Sequence, residues 1–124
     1  INKELKVVMD QIGSPTYAKD LAKLCLDIFC NNSSSQISEN GRIYHYSNEG
    51  EISWFDFAAE IMKLAKLDCK ILPILTKEFN TKVNRPYYSV LDKRKIKKDF
   101  NIEIPYWKES LKYCILKLKN RAYL

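Results

Sequence analysis

Glycine and histidine are the scarce residues of this chain, and their scarcity excludes most familiar catalytic sets. The 124 residues hold three glycines, Gly13, Gly41 and Gly50, so neither a GxGxxG dinucleotide loop nor a phosphate-binding P-loop can be written. His45 is the only histidine. With no GxSxG motif beside it, a Ser-His-Asp triad has no foundation. Cys25, Cys30, Cys69 and Cys114 form no CxxC pair, which leaves a zinc site without ligands at the usual spacing. No apolar run approaches the roughly 18 residues needed to cross a membrane, and the N-terminus lacks a signal-peptide pattern. Four reduced cysteines point to the cytoplasm, where the Asn31-Asn32-Ser33 sequon carries no glycan.

What is present fits one modest domain or part of one, with 46% hydrophobic and 29% charged residues. The first residue is Ile1 rather than Met, so the chain is expected to be cut from something longer. The net charge of +6 raises the question of nucleic acid. Only 4 of the 21 basic residues are arginine, and the lysines are interleaved with acids. The densest run, Lys93 to Lys98, reads as the solvated face of a short helix. The charge is therefore assigned to a Lys-rich surface, with no nucleic-acid partner and no membrane.

Hydrophobic periodicity gives strands at Leu5 to Met9, Ile43 to Tyr46 and Cys69 to Leu75, the last an edge strand because of Pro73. Helices are expected from Tyr17 to Phe29 with Thr16 as N-cap, and from Ser53, which caps a capping-box variant closed by Asp56, to about Leu67. Asp92 caps a short helix to about Phe100, and Pro105 occupies the first position of a last helix. Residues 31 to 40 and 76 to 83 read as loops. Three short strands alternating with about four helices define an α/β class, with too few strands for a full nucleotide-binding sheet. At least one strand suits a sheet begun elsewhere. Cys25 and Cys114 fall on apolar helix faces, where a buried thiol is expected. Glu49 and Glu51 flank Gly50 in what reads as an exposed turn.

Two polar clusters carry the chemistry. In Asp10 to Ala22, Gln11 and Ser14 flank a Gly-Ser-Pro turn, and Thr16 opens a helix whose amides favour an anionic ligand. Thr16 reads equally well as a simple cap. In Arg85 to Asp92, Pro86 stiffens the backbone beside an arginine suited to bidentate phosphate recognition, or to a salt bridge with Asp92. Of Tyr87 and Tyr88, an extended backbone turns one inward and leaves the other to stack on a base or sugar. Trp54 and Trp107 read as core or helix-edge packing. Tyr113 and Lys117 satisfy a YxxxK spacing, but eight tyrosines and seventeen lysines produce about one such match by chance.

The run from Val8 to Ala22 resembles the C-terminal half of the bacterial dTDP-4-dehydrorhamnose reductases, extended short-chain dehydrogenases that act on nucleotide sugars. The resemblance continues through Gly41 to Gly50, Ser53 to Ala58, Arg85 to Asp92 and Pro105-Tyr106-Trp107, in order, and covers essentially the whole chain. It implies reduction of dTDP-4-dehydro-L-rhamnose to dTDP-L-rhamnose with NADPH or NADH, on the way to cell-surface polysaccharide. It also implies that residues 1–124 are the substrate-binding portion, that the Rossmann half with the cofactor loop and catalytic residues lies outside this chain, and that the chain alone is inactive. Gln11, Ser14 and Thr16 would lie beside the substrate crevice and Arg85 near the nucleotide or diphosphate; no catalytic, cofactor or metal ligand is expected here. Some family members dimerise through magnesium, so a homodimer and Mg remain open. A nucleotide-sugar epimerase, a non-catalytic relative, and a small basic module binding nucleic acid or protein are the alternatives.

Overall fold

The computed structural model of this protein describes residues 3–31, 42–79 and 83–121. Strand β1 (Glu4–Val8) leads into a two-residue strand β2 (Ile12–Gly13) and helix α1 (Ala18–Asn31). After the segment at 42–51 come strand β3 (Ile52–Ser53), helix α2 (Trp54–Ala65) and strand β4 (Lys70–Ile74). A 3-10 turn (Thr76–Glu78), helix α3 (Arg94–Phe100) and helix α4 (Trp107–Arg121) complete the described order.

β1 and β4 pair in parallel, with Glu4 opposite Lys70 and Val8 opposite Ile74. The Lys70 N–H donates to Lys3 O at 2.8 Å and the Met9 N–H to Ile74 O at 2.9 Å. Alternation then turns Pro73 away from β1, so its missing N–H falls on the outer edge, as expected for proline in a strand. α2 packs on both strands. Its start is the one the sequence predicts: the Asp56 N–H donates to Ser53 Oγ at 3.0 Å. Lys66, left-handed at φ 58°, ends it.

The buried core cluster draws on other elements. Leu24 of α1, Ile96 of α3 and Ile104 form it, with Ile28, Tyr44, Tyr46, Phe100 and Ile102 packed against it. Trp107 and Leu111 of α4 are buried as well, and the Trp107 ring meets Phe57 of α2 edge-on at 5.8 Å.

Several expectations are corrected. Ile43 to Tyr46 forms no strand. Its alternation is real but serves packing: Tyr44 and Tyr46 lie against the core, and no strand among the described residues pairs with it. The extra strands are β2 and β3, an antiparallel pair too short to leave a periodic signal. Helix α4 begins two residues after Pro105, not at it, because the Pro105 carbonyl already accepts the Glu49 N–H at 2.9 Å. Thr16 is not the cap of α1. The helix starts at Ala18, which puts Tyr17 at the N-cap position, and the Tyr17 N–H is taken by Asn48 Oδ1 at 2.7 Å. Cys25 is exposed rather than buried, and Cys114 is half-buried. Tyr87 and Tyr88 are both exposed, so neither enters the core. The loop expected at 31 to 40 lies outside the described residues, apart from its first residue, which ends α1.

Candidate substrate-binding site

The two polar clusters of the sequence meet across the backbone of Ile12. Its N–H donates to Tyr87 O at 2.7 Å, and its carbonyl accepts the Ser89 N–H at 2.9 Å and the Ser89 hydroxyl at 3.2 Å. With β3 on the other flank of β2, residues 12–13 become the middle of a small three-segment platform. Gly13 suits that place, since a Cβ there would stand 3.0 Å from Ser89 Oγ.

A cavity of about 180 Å³ opens beside this platform. Ser14, Thr16, Ser47 and Ser89 line it together with the apolar Ile52, Trp54, Phe57 and Leu91. Such a mixture of apolar wall and a few polar groups is what small-ligand sites present. The Ser14 hydroxyl donates to Gly50 O at 2.7 Å, which ties the turn to the 47–50 segment. Trp54 is about half exposed and forms an accessible wall rather than core.

The expected site residues separate in space. Ser14 and Thr16 line the cavity together. Release from capping leaves the Thr16 side chain available there. Gln11 is 4% exposed and turns away: its Nε2 donates to Thr76 Oγ1 at 3.1 Å. The Thr76 hydroxyl in turn donates to Asp10 Oδ1 at 2.7 Å, and this bond leads the effects that hold the Asp10 carboxyl below the usual carboxylate range. Asp10, Gln11 and Thr76 thus fasten the end of β1 to the end of β4. Arg85 is exposed, lies outside the cavity wall and forms no hydrogen bond or ion pair among the described residues. Asp92 is not its partner. Arg94 takes that carboxylate through Nε at 3.0 Å and a terminal nitrogen at 2.6 Å, which pulls Asp92 down to about 2.

Sequence reasoning missed the residue that organises the site. Asn48 is 1% exposed, and besides accepting from Tyr17 its Nδ2 donates to Asp20 Oδ2 at 2.7 Å, Ser110 Oγ at 3.0 Å and Pro105 O at 3.2 Å. One side chain therefore joins the 13–17 turn, α1, α4 and the segment before α4. Its neighbour Glu49 is no exposed turn residue, for it pairs with Lys97 at 2.9 Å and Lys93 at 3.3 Å. Lys97 first, then Lys93, lowers its carboxyl below the ordinary value. Lys93, expected on a solvated face, is 8% exposed and also donates to Asn48 O at 3.1 Å. Nothing in Ser-Asn-Glu-Gly distinguishes a buried connector from a surface turn, since both favour those residues.

No group of three or more His, Cys, Asp or Glu side chains suited to a metal ion occurs among the described residues. Spaced as they are in the sequence, the three glycines write no GxGxxG dinucleotide loop. No helix among the described residues is long and apolar enough to cross a membrane.

A small α/β unit with a ring-sized cavity, hydroxyl-lined and free of cofactor motifs, has the make-up of a ligand-binding domain. Residues 1–120 match the family model described as the RmlD substrate binding domain, and the chain belongs to that family. It is 44% identical over 110 residues to the spore coat polysaccharide biosynthesis protein SpsK of Bacillus subtilis, covering 89% of this chain and 36% of that protein. It is 33% identical over 118 residues to a dTDP-4-dehydrorhamnose reductase of Sinorhizobium fredii, covering 92% of this chain and 40% of that one. Among solved structures, the dTDP-4-dehydrorhamnose reductase of Clostridium acetobutylicum superposes with a TM-score of 0.82 at 38% identity, covering 95% of this chain and 40% of that one. The Bacillus anthracis reductase, solved with NADP, gives 0.76 at 34%, covering 94% and 38%. The chain thus spans about two fifths of the relatives it matches, and the α/β fold read from the sequence is that of their C-terminal portion.

Proposed function

We propose that residues 1–124 are the substrate-binding portion of a dTDP-4-dehydrorhamnose reductase, acting in the synthesis of a rhamnose-containing polysaccharide. The observation that carries this reading is the cavity where Ser14, Thr16 and Ser89 converge beside Trp54 and Phe57, in a chain of the reductases' substrate-domain family. Ser14 and Thr16 contact the sugar nucleotide, and Arg85, without a hydrogen bond or ion pair among the described residues, serves the diphosphate. Gln11 supports the wall from behind by holding Thr76.

In this division of labour a companion Rossmann half binds NADPH or NADH, which supplies the hydride, and no step on these residues runs through it. This portion orients the keto sugar, contributes apolar walls that exclude water, and covers it during transfer. The relative solved with NADP supports the choice of a nicotinamide cofactor. Four free cysteines support a reducing, cytoplasmic setting.

The test is NADPH oxidation dependent on dTDP-4-dehydrorhamnose. The intact protein turns over and the isolated 124 residues do not. Reductase activity in the isolated residues overturns the division of labour, and inactivity of the intact protein toward this substrate overturns the assignment.

A further inference from the structure

Helix α1 carries more apolar surface than the core uses. Leu24 and Ile28 turn one side of it onto the core cluster. At about 100° per residue, Ala18, Ala22, Cys25 and Phe29 fall on a second stripe, bordered by Leu21 and Leu26. Phe29 is 80% exposed, and Cys25 is exposed as well. No charged side chain interrupts this stripe, because Lys23 and Asp27 pair on the opposite side of the helix. Residues 42–47 share the core with α1 and alternate along their length. Tyr44 and Tyr46 pack inward, while Ile43, 82% exposed, and His45 do not. Among the described residues the backbone N–H groups of 43–47 donate to nothing, and the Ile43 carbonyl accepts only from Lys95 Nζ.

We propose that the second stripe of α1 and the open backbone of residues 43–46 form one docking surface for the companion half. Residues 43–46 add a strand to the edge of that half's sheet, and α1 covers the join. The inference rests on the reading above that such a half completes the protein. Width favours a sheet as the occupant. A helix about 10 Å across covers about two strands set about 4.8 Å apart. α1 shares its core side with one extended run, residues 43–46, so its stripe is left for the next strand over. The unpaired main-chain groups of that run are what an open sheet edge pairs with. β4 suits such a join poorly, because Pro73 lies on its outer edge. The chain spans about two fifths of the relatives it matches, so most of their length remains to cover the stripe.

The experiment uses the intact protein, and its first arm needs no variant. Alkylation by iodoacetamide, read cysteine by cysteine with mass spectrometry, should be about a hundredfold slower at Cys25 than in the urea-unfolded protein. Hydrogen exchange should show the amides of 43–47 protected, to the same degree at every protein concentration. Phe29→Ser should lower the thermal midpoint by about 5 °C or more, whereas Lys23→Ser, on the charged side of α1, leaves it level. Alkylation of Cys25 at the unfolded rate, free exchange at 43–47, or a level midpoint for Phe29→Ser overturns the proposal. Protection that vanishes on dilution assigns the surface to a second copy of the chain and overturns it as well. An intact protein that reduces dTDP-4-dehydrorhamnose yet leaves Cys25 open removes this inference alone. An inactive one with Cys25 shielded removes the functional reading alone.

Discussion

Asn48 and Asp20, 28 positions apart, meet through a 2.7 Å hydrogen bond from the Asn48 amide to the Asp20 carboxylate, and Ser110 joins both. The same amide receives the Tyr17 N–H, so the geometry of the cavity-side turn depends on a residue from a different segment. Through this knot, Ser110 of α4 is tied to the turn that bears Ser14 and Thr16.

Replacing Asn48 with Ala should therefore destabilise the protein by about 2–4 kcal/mol, because the half-buried Tyr17 and Asp20 groups each lose a partner. Asn48→Asp is worse still, since it sets a second carboxylate against Asp20. Denaturant unfolding checks both, and a loss under about 1 kcal/mol for Asn48→Ala would contradict the knot.

Gly50 cannot become Ala without damage. Its φ of +98° suits glycine, and a Cβ would stand 2.4 Å from Tyr106 Cε2 and 2.6 Å from Trp107 Cδ1. The expected loss is at least about 2 kcal/mol, with weakened ligand affinity because Ser14 is anchored on the Gly50 carbonyl. Thermal melting and calorimetry together read the two effects.

Acid should weaken the fold partly through Glu49. Its carboxyl is depressed from 4.5 by Lys97 and Lys93, so its contribution is present above 4.5 and is lost as pH falls through the lower folded value. Glu49→Gln removes this contribution at neutral pH and should flatten the decline of the melting temperature below pH 4.5. Parallel wild-type and variant curves across that range would refute the linkage.

Ser53→Ala removes the acceptor for the Asp56 N–H at the start of α2. A loss of about 1 kcal/mol in chemical unfolding is expected, the usual effect of deleting an N-cap. Since α2 also carries Trp54 and Phe57 into the cavity wall, ligand affinity should fall alongside.

Local signals were enough for the strand before Asp10, the Ser53 cap, the amphipathic helix behind it and the edge character of β4. Each depends on neighbours within one turn or on alternation along one strand, and such patterns are written in contiguous residues. The motif order also sufficed to place the chain in its family. Thr16 and Pro105 show where this reasoning stops: both carry a strong helix-start preference, yet α1 takes the Tyr17 carbonyl as its first acceptor, and the Pro105 carbonyl accepts the Glu49 N–H from another segment.

By itself the sequence determined the α/β class, the kinship with the nucleotide-sugar reductases, and the identity of the turn that bears Ser14 and Thr16. Only the tertiary structure decided that Gln11 faces Thr76, that Arg85 stands apart from Asp92, and that Ser47, Asn48 and Lys93 are buried. The physical reason is one of range. A hydroxyl or amide favours a bend wherever it occurs, but whether that bend is solvated or buried depends on partners such as Tyr17, Pro105 and Ser110, which chain folding brings from 31 to 62 positions away.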